Sequence, residues 1–535
     1  MAESSLLPCA TALPAARRRR HVRQLAGLLV LGSVWTCTAL TSRGAAAQDQ
    51  YFGIHVVDED TGRGVPLVEL ETVHHLRYVT DSAGWIALDE PELMDRRVFF
   101  QVRSHGYSHA QDGFGFAGVV LNPTRGQEAV IRVRRVNVAQ RLYRLTGEGI
   151  YRDSMLLGKA VPLCSPLGNG QVAGQDSTSA VVYRDRIYWF WGDTTGVRYP
   201  LGHFWTAGAT SAPPGAGLNP DLGIDLEYFV DNEGFSRPLA RLGVESGPVW
   251  IAAVCVVPDA NGEDRLVCHY AHMKDLGEVL DHGLAVYDDA TQRFERFTPL
   301  ELRELWRFPG QAHPIRHTEG TGDYLYLGEV FPTVRVPATL AGLAASEGWQ
   351  VWTCLERGSD PATPRFTRNA SGELEFGWRD DAPPADIAWQ QRWIEEGKIR
   401  PAEACFVPRD VDSGNPVYLH RGSVAWNAFR KQWIMIAGQR GGTSALGEIW
   451  YAEAPAPTGP WRYAKKIVSH EQYSCYNPVH HPFLDQDGGR IIFFEGTYSA
   501  SFSGNPAPTP RYDYNQIMYR LELDNPQLAP SQTER

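Results

Sequence analysis

At 535 residues, with 43% apolar and 21% charged residues, the sequence has the composition of a folded globular protein with room for two or three domains, which excludes a disordered or fibrous chain. A formal net charge of −11 excludes the basic stripe that nucleic-acid binding needs, so no nucleic-acid partner is expected.

The chain opens with a polar stretch, the basic run "RRRRHVRQ", an apolar run from Leu25 to Leu40, and small residues ending at Ala45-Ala46-Ala47. That order predicts an export signal peptide over 1–47, cut near Ala47, and hence a secreted or periplasmic location. No later segment offers about 18 uninterrupted apolar residues, so no membrane span is expected in the mature chain. Residues 1–47 hold six Arg and one Glu, and their removal takes the net charge from −11 to about −16. The remaining six cysteines show no C-x-x-C, which fits neither a zinc ribbon nor a dense disulfide scaffold. Cys255 and Cys268, flanking "PDANGEDR", are the nearest pair for a bridge; buried free thiols are the alternative.

From 48 to 136, short alternating runs such as "YFGIHVV", "RRVFFQVRSHGY" and "EAVIRVRRV" are bounded by Asp, Gly and Pro clusters. Period-two alternation between turns predicts a small antiparallel β-sandwich. The segment "TGRGVPLVELETVHHLRYVTDSAGWIAL" resembles the carboxypeptidase-regulatory or transthyretin-like β-sandwich modules of exported bacterial proteins. That resemblance implies support or binding rather than catalysis. His74 and His75 are read as one inward and one outward residue on a strand, not as metal ligands. Segment 137–160, "RLTGEGIYRDSMLLGKA" at its centre, reads as an ordered connection.

Over 161–525 the pattern becomes a loose repeat, a feature best sought before single motifs. Five segments share strand, turn and aromatic strand, starting at Asp176, Gly247, His313, Gly422 and Asn477, about 55 to 110 residues apart. Five such units predict a five-bladed β-propeller. The longest insertion, 337–420, carries the helical stretch "DIAWQQRWIEEGK", with Trp389 and Trp393 on one face as core residues by default. Residues 526–535 form a tail. The expected fold is all-β: an N-terminal sandwich, then a five-bladed propeller with a partly helical insertion.

The stretch "GQDSTSAVVYRDRIYWFWGDTTG" places an aspartate at each end of one apolar hairpin. With the turn at Arg184-Asp185, paired residues sum to 369, so Asp176 faces Asp193. Opposed Cβ atoms lie about 4.5–5.5 Å apart, where like charges are unfavourable unless one side is protonated. Two readings follow: a carboxyl pair with separated pKa values, suited to acid/base chemistry, or two strand-end caps bonded to backbone N–H groups.

"GQDS", "IYWFWGDT" and "APTGPW" resemble the five-bladed propeller glycoside hydrolases, the group of arabinanases, xylosidases and fructosidases. More narrowly, "GQD" and "FWGDT" resemble a propeller family, first known as an uncharacterised domain, that includes bacterial endo-D-arabinanases. The resemblance implies that Asp176 and Asp193 are the acid/base pair acting on a carbohydrate. The second unit, "GPVWIAAV", lacks the acid that the broader group carries there. Glu495 in "FFEGTYS" occupies the repeat position of Asp193 and is the reserve general acid. Trp191, Trp205, His317, Glu319, Arg421, His480 and His481 are the candidate substrate-binding residues, Glu319 also fitting a surface turn. Fourteen of the 16 Trp lie after residue 160, and most must be core. "HEQYS" lacks the second His of a zinc-protease motif, and no P-loop, G-x-S-x-G elbow or dinucleotide motif is present. No metal and no cofactor are expected. The competing reading is a non-catalytic exported propeller that binds a surface glycan or a protein.

Overall fold

The structure, a computed structural model, describes residues 50–528. The expected signal peptide and residues 529–535 of the tail lie outside them. The described chain is mostly β, with only short helices, and no helix in it is long and apolar enough to cross a membrane.

Two four-stranded sheets form the N-terminal unit. One runs Trp85–Leu88, Phe52–Asp58, Glu128–Arg135, Tyr107–Ser108; the other Arg77–Val79, Glu69–Thr72, Val98–Arg103, Gly118–Leu121. Period-two alternation turns Ile54, Val56, Leu70, Phe100, Ile131 and Val133 into one shared core. The pairing is not wholly antiparallel, since Phe52–Asp58 runs parallel to Glu128–Arg135. His74 and His75 sit in the exposed turn between two strands, not on a strand, with His75 at φ 69° and its ring on Glu71.

Each of the five repeat segments supplies the first two strands of a separate sheet. Sheet I begins with Ser179–Tyr183 and Arg186–Trp191, II with Val249–Pro258 and Asp264–Met273, III with Ile315–Glu319 and Gly322–Leu327, IV with Leu419–Asn427 and Gln432–Gln439, and V with Ser474–His480 and Ile491–Ser499. Consecutive sheets share cores. Phe190 meets Val249 and Cys268 between I and II, Cys255 and Val267 meet Leu325 and Val336 between II and III, and Phe331 meets Val424 and Met435 between III and IV. Ile434 and Ile436 meet Phe494 and Tyr519 between IV and V. The series returns to its start, because Phe493 and Met518 of sheet V pack on Ile187 and Trp189 of sheet I.

The fourth strand of sheet V is Gln140–Arg144, paired with Asn515–Glu522. The segment read as a connection therefore completes the last sheet with a strand that precedes the first. Arg141 on that strand, 2% exposed, donates to the carbonyls of Pro66 and His105 and to Ser104 Oγ, tying the N-terminal unit to sheet V.

The insertion holds the helix Ile387–Glu395, capped by Asp386, whose carboxylate accepts the Trp389 amide. Trp393 is fully buried in a satellite core with Phe366, and Trp389 packs beside it. Cys255, Cys268, Cys354, Cys405 and Cys475 are free thiols. Cys255 lies opposite Val267, so Cys268 points through the other face of sheet II; the two thiols belong to different cores and face apart.

Candidate functional site

The hairpin register is the one its turn dictates. Arg184 and Asp185 both have positive φ, 48° and 60°, as a type I′ turn requires, and Tyr183 pairs with Arg186, Val181 with Tyr188, Ser179 with Phe190. Beyond a break, Gln175 pairs with Thr194 in the same register. Asp176 and Asp193 face each other inside that break.

The break is specific. Gly192 donates its amide to the Asp176 carbonyl at 2.8 Å, while the Asp193 amide donates to Asp176 Oδ1 at 2.9 Å. A Cβ on Gly192 would stand 2.5 Å from that oxygen, so only glycine leaves room for the carboxylate. Ser177 follows in the left-handed region at φ 55°, its amide bonded to Thr497 Oγ1.

Asp176 Oδ2 accepts from the Tyr476 hydroxyl at 3.0 Å. Burial, then the neighbouring Asp193 charge, push the Asp176 carboxyl up to about 7, against the Tyr476 hydroxyl, the Asp193 amide and the Tyr514 hydroxyl, which favour its ionised form. Asp193 is also raised by burial, offset by the Trp250 indole, whose Nε1 donates to Asp193 Oδ1 at 2.8 Å. The two carboxylates share one cavity of about 470 Å³, walled by Trp191, Trp250, Tyr476, Tyr514 and Arg421 and rimmed by Leu276 and Phe502. Leu276 is 82% and Phe502 65% exposed, an apolar lip beside a polar floor.

Of the candidate residues, Asp176, Asp193, Trp191 and Arg421 come together here. The others are placed elsewhere. Trp205 packs between sheets I and II with the Arg241 guanidinium 4.8 Å over its ring. His317 stands between the Tyr326 and Trp433 rings, and Glu319 pairs at the surface with Arg335 and the Tyr326 hydroxyl. Glu495 shares its strand face with Ile491 and Phe493, which packs on sheet I; it is fully buried, 2.7 Å from His481 Nε2, and does not line the cavity. His480 pairs with Asp485 at 2.8 Å. His480 and His481 line a second cavity of about 410 Å³, walled by the first strands of the sheets.

Trp250, Tyr476, Tyr514, His420 and Gln311 were not singled out from sequence. One signal was available: Tyr476-Asn477 repeats Asp176-Ser177, with Asn477 also left-handed at φ 50° and its side chain donating to Ser177 Oγ at 2.8 Å.

No family model and no curated protein matches the chain. Solved structures similar to it include exo-β-1,3-galactanase from Phanerochaete chrysosporium with galactose, 8% identical, TM-score 0.34, covering 71% of this chain and 64% of that one. A putative exo-β-1,3-galactanase from Bifidobacterium bifidum s17 is 12% identical, TM-score 0.35, covering 71% and 92%. An N-acetylgalactosamine deacetylase from F. plautii, in complex with blood group B trisaccharide, is 10% identical, TM-score 0.34, covering 74% and 98%. The chain spans 60% of the length of the Phanerochaete enzyme in its complex with β-1,3-galactotriose. Likeness this distant carries no argument about chemistry.

Proposed function

We propose that the protein is an exported glycoside hydrolase, secreted or periplasmic, built as a five-bladed β-propeller behind an N-terminal β-sandwich, with Asp176 and Asp193 as its acid/base pair on a poly- or oligosaccharide. The observation that carries this reading is the pair itself: two carboxylates open to one cavity, each raised by burial, in different hydrogen-bond settings. Environments that differ in this way let one carboxyl hold a proton while its neighbour stays ionised. Asp176, the carboxyl pushed to about 7, protonates the leaving glycosidic oxygen. Asp193, steadied by Trp250, faces the positive charge that builds at the anomeric carbon, and water completes the hydrolysis. The five sheets with cores shared in a closed series support the propeller part of the reading. Arabinan is one substrate class in keeping with the hairpin motif.

One observation favours the non-catalytic alternative: Asp176 Oδ1 is taken by a backbone amide, as in a cap. The test is reducing-end release by the mature protein from plant, algal and mycobacterial polysaccharides, beside folded Asp176→Asn and Asp193→Asn variants. Release by wild type and loss in both variants supports the hydrolase. Binding of one glycan without release by any form supports the binder.

A further inference from the structure

Across the cavity from the aspartates, sheet IV contributes His420 and Arg421. Arg421 is half-buried, yet its side chain makes no hydrogen bond and no ion pair within 4.0 Å to any described residue. Burial lowers its affinity for its proton, Glu329 acts in the opposite sense from a distance, and Arg440 adds to the lowering. Burial raises the Glu329 carboxyl, while Arg421 and Arg440 act to lower it. The guanidinium lies against Gly310, where a Cβ would stand 3.2 Å from Nη2 and 3.5 Å from Nη1. His420 is pushed down to about 4 by burial and then by Arg421 and Arg440, so its ring adds no second cation at neutral pH.

No guanidinium nitrogen of Arg421 has a hydrogen-bond partner in the described chain, so its N–H donors are left to water and to whatever enters the cavity. The planar fork of Arg421 matches a carboxylate or a sulfate ester, and the ionised Asp193 repels such a group toward the Arg421 end. The cavity is thus bipolar, with cleavage chemistry at one end and a lone cation at the other. We infer that Arg421 receives an oxyanion substituent of a sugar residue, so that the glycan taken by this cavity is acidic. The inference rests on the glycan reading of the cavity for the sugar, and on Arg421 alone for the charge.

The test is calorimetric binding to the Asp176→Asn chain, which blocks hydrolysis, of three probes beside neutral counterparts. They are a galacturonate tetrasaccharide and a glucuronate-bearing xylo-oligosaccharide, each against its carboxyl-reduced form, and a sulfated galacto-oligosaccharide against its desulfated form. The expected result is about tenfold tighter binding of at least one acidic member, the size of a charged hydrogen bond. That preference disappears in Arg421→Met and persists in part in Arg421→Lys; the probe that shows it distinguishes carboxylate from sulfate. Equal binding of every pair, binding of no acidic probe, or a preference that survives Arg421→Met overturns the inference. Reducing-end release by wild type, followed separately, keeps failure of the hydrolase reading distinct from failure of this one.

Discussion

The main-chain amide of Asp193 donates to the side chain of Asp176 at 2.9 Å, not to its carbonyl, which bonds the Gly192 amide instead. That exchange of acceptor leaves the Asp176 amide bonded to the Asp193 carbonyl at 3.4 Å, and both carboxylates line one cavity. Replacing either aspartate by asparagine is expected to lower hydrolysis by about 100-fold or more with the fold retained. For Asp176→Asn the loss is smaller on an aryl glycoside, whose leaving group needs no proton; activity assays on both substrate types check this.

The Asp176 carboxyl, raised from 3.8 to about 7, binds a proton in the folded protein that it gives up when unfolded. Because the folded-state value is raised, the stability contribution is full below about pH 4 and disappears as pH rises through about 7. Melting temperatures of wild type and Asp176→Asn should therefore converge at pH 4, with the variant gaining on wild type toward pH 8. Hydrolysis by wild type should fall along a basic limb near pH 7.

Tyr476→Phe removes the hydroxyl on Asp176 Oδ2, a donor that favours the ionised form. The basic limb of the pH–rate profile should move upward, with a loss in kcat/KM of about tenfold. An unmoved limb would remove Tyr476 from the positioning of Asp176.

Gly192→Ala forces a methyl to within 2.5 Å of Asp176 Oδ1, so the carboxylate must turn away. Misplacement of a reacting group by about 1 Å costs on the order of 100-fold in rate. The expected outcome is a large fall in kcat with retained folding, read by kinetics beside circular dichroism.

Arg141→Ala removes a buried guanidinium that donates to the carbonyls of Pro66, Leu67 and His105 and to Ser104 Oγ across the joint between the N-terminal unit and sheet V. Each unsatisfied acceptor costs about 1–3 kcal/mol, so denaturant unfolding of the full chain should show a loss of about 3 kcal/mol or more.

Much of the site was legible because a two-residue hairpin has arithmetic. Once Arg184-Asp185 is the turn, the register from Tyr183 with Arg186 out to Gln175 with Thr194 follows, and Asp176 must face Asp193. The repeat of strand, turn and aromatic strand was legible for the same local reason, and each copy begins its own sheet. Glu495 shows where this logic stops. It holds the repeat position of Asp193, but sheet parity places it on the face packed against sheet I, in contact with His481 and away from the cavity.

The sequence by itself determined what depends on neighbours along the chain: alternation of burial, turn type, hairpin register and the opposition of two aspartates. Tertiary structure alone decided what depends on residues hundreds of positions apart. Tyr476 reaches Asp176 across 300 residues, Trp250 reaches Asp193 from sheet II, and Gln140–Arg144 completes a sheet whose other strands lie at the far end of the chain. Those contacts follow from closure of the shared cores, a packing condition on the whole chain that no local pattern records.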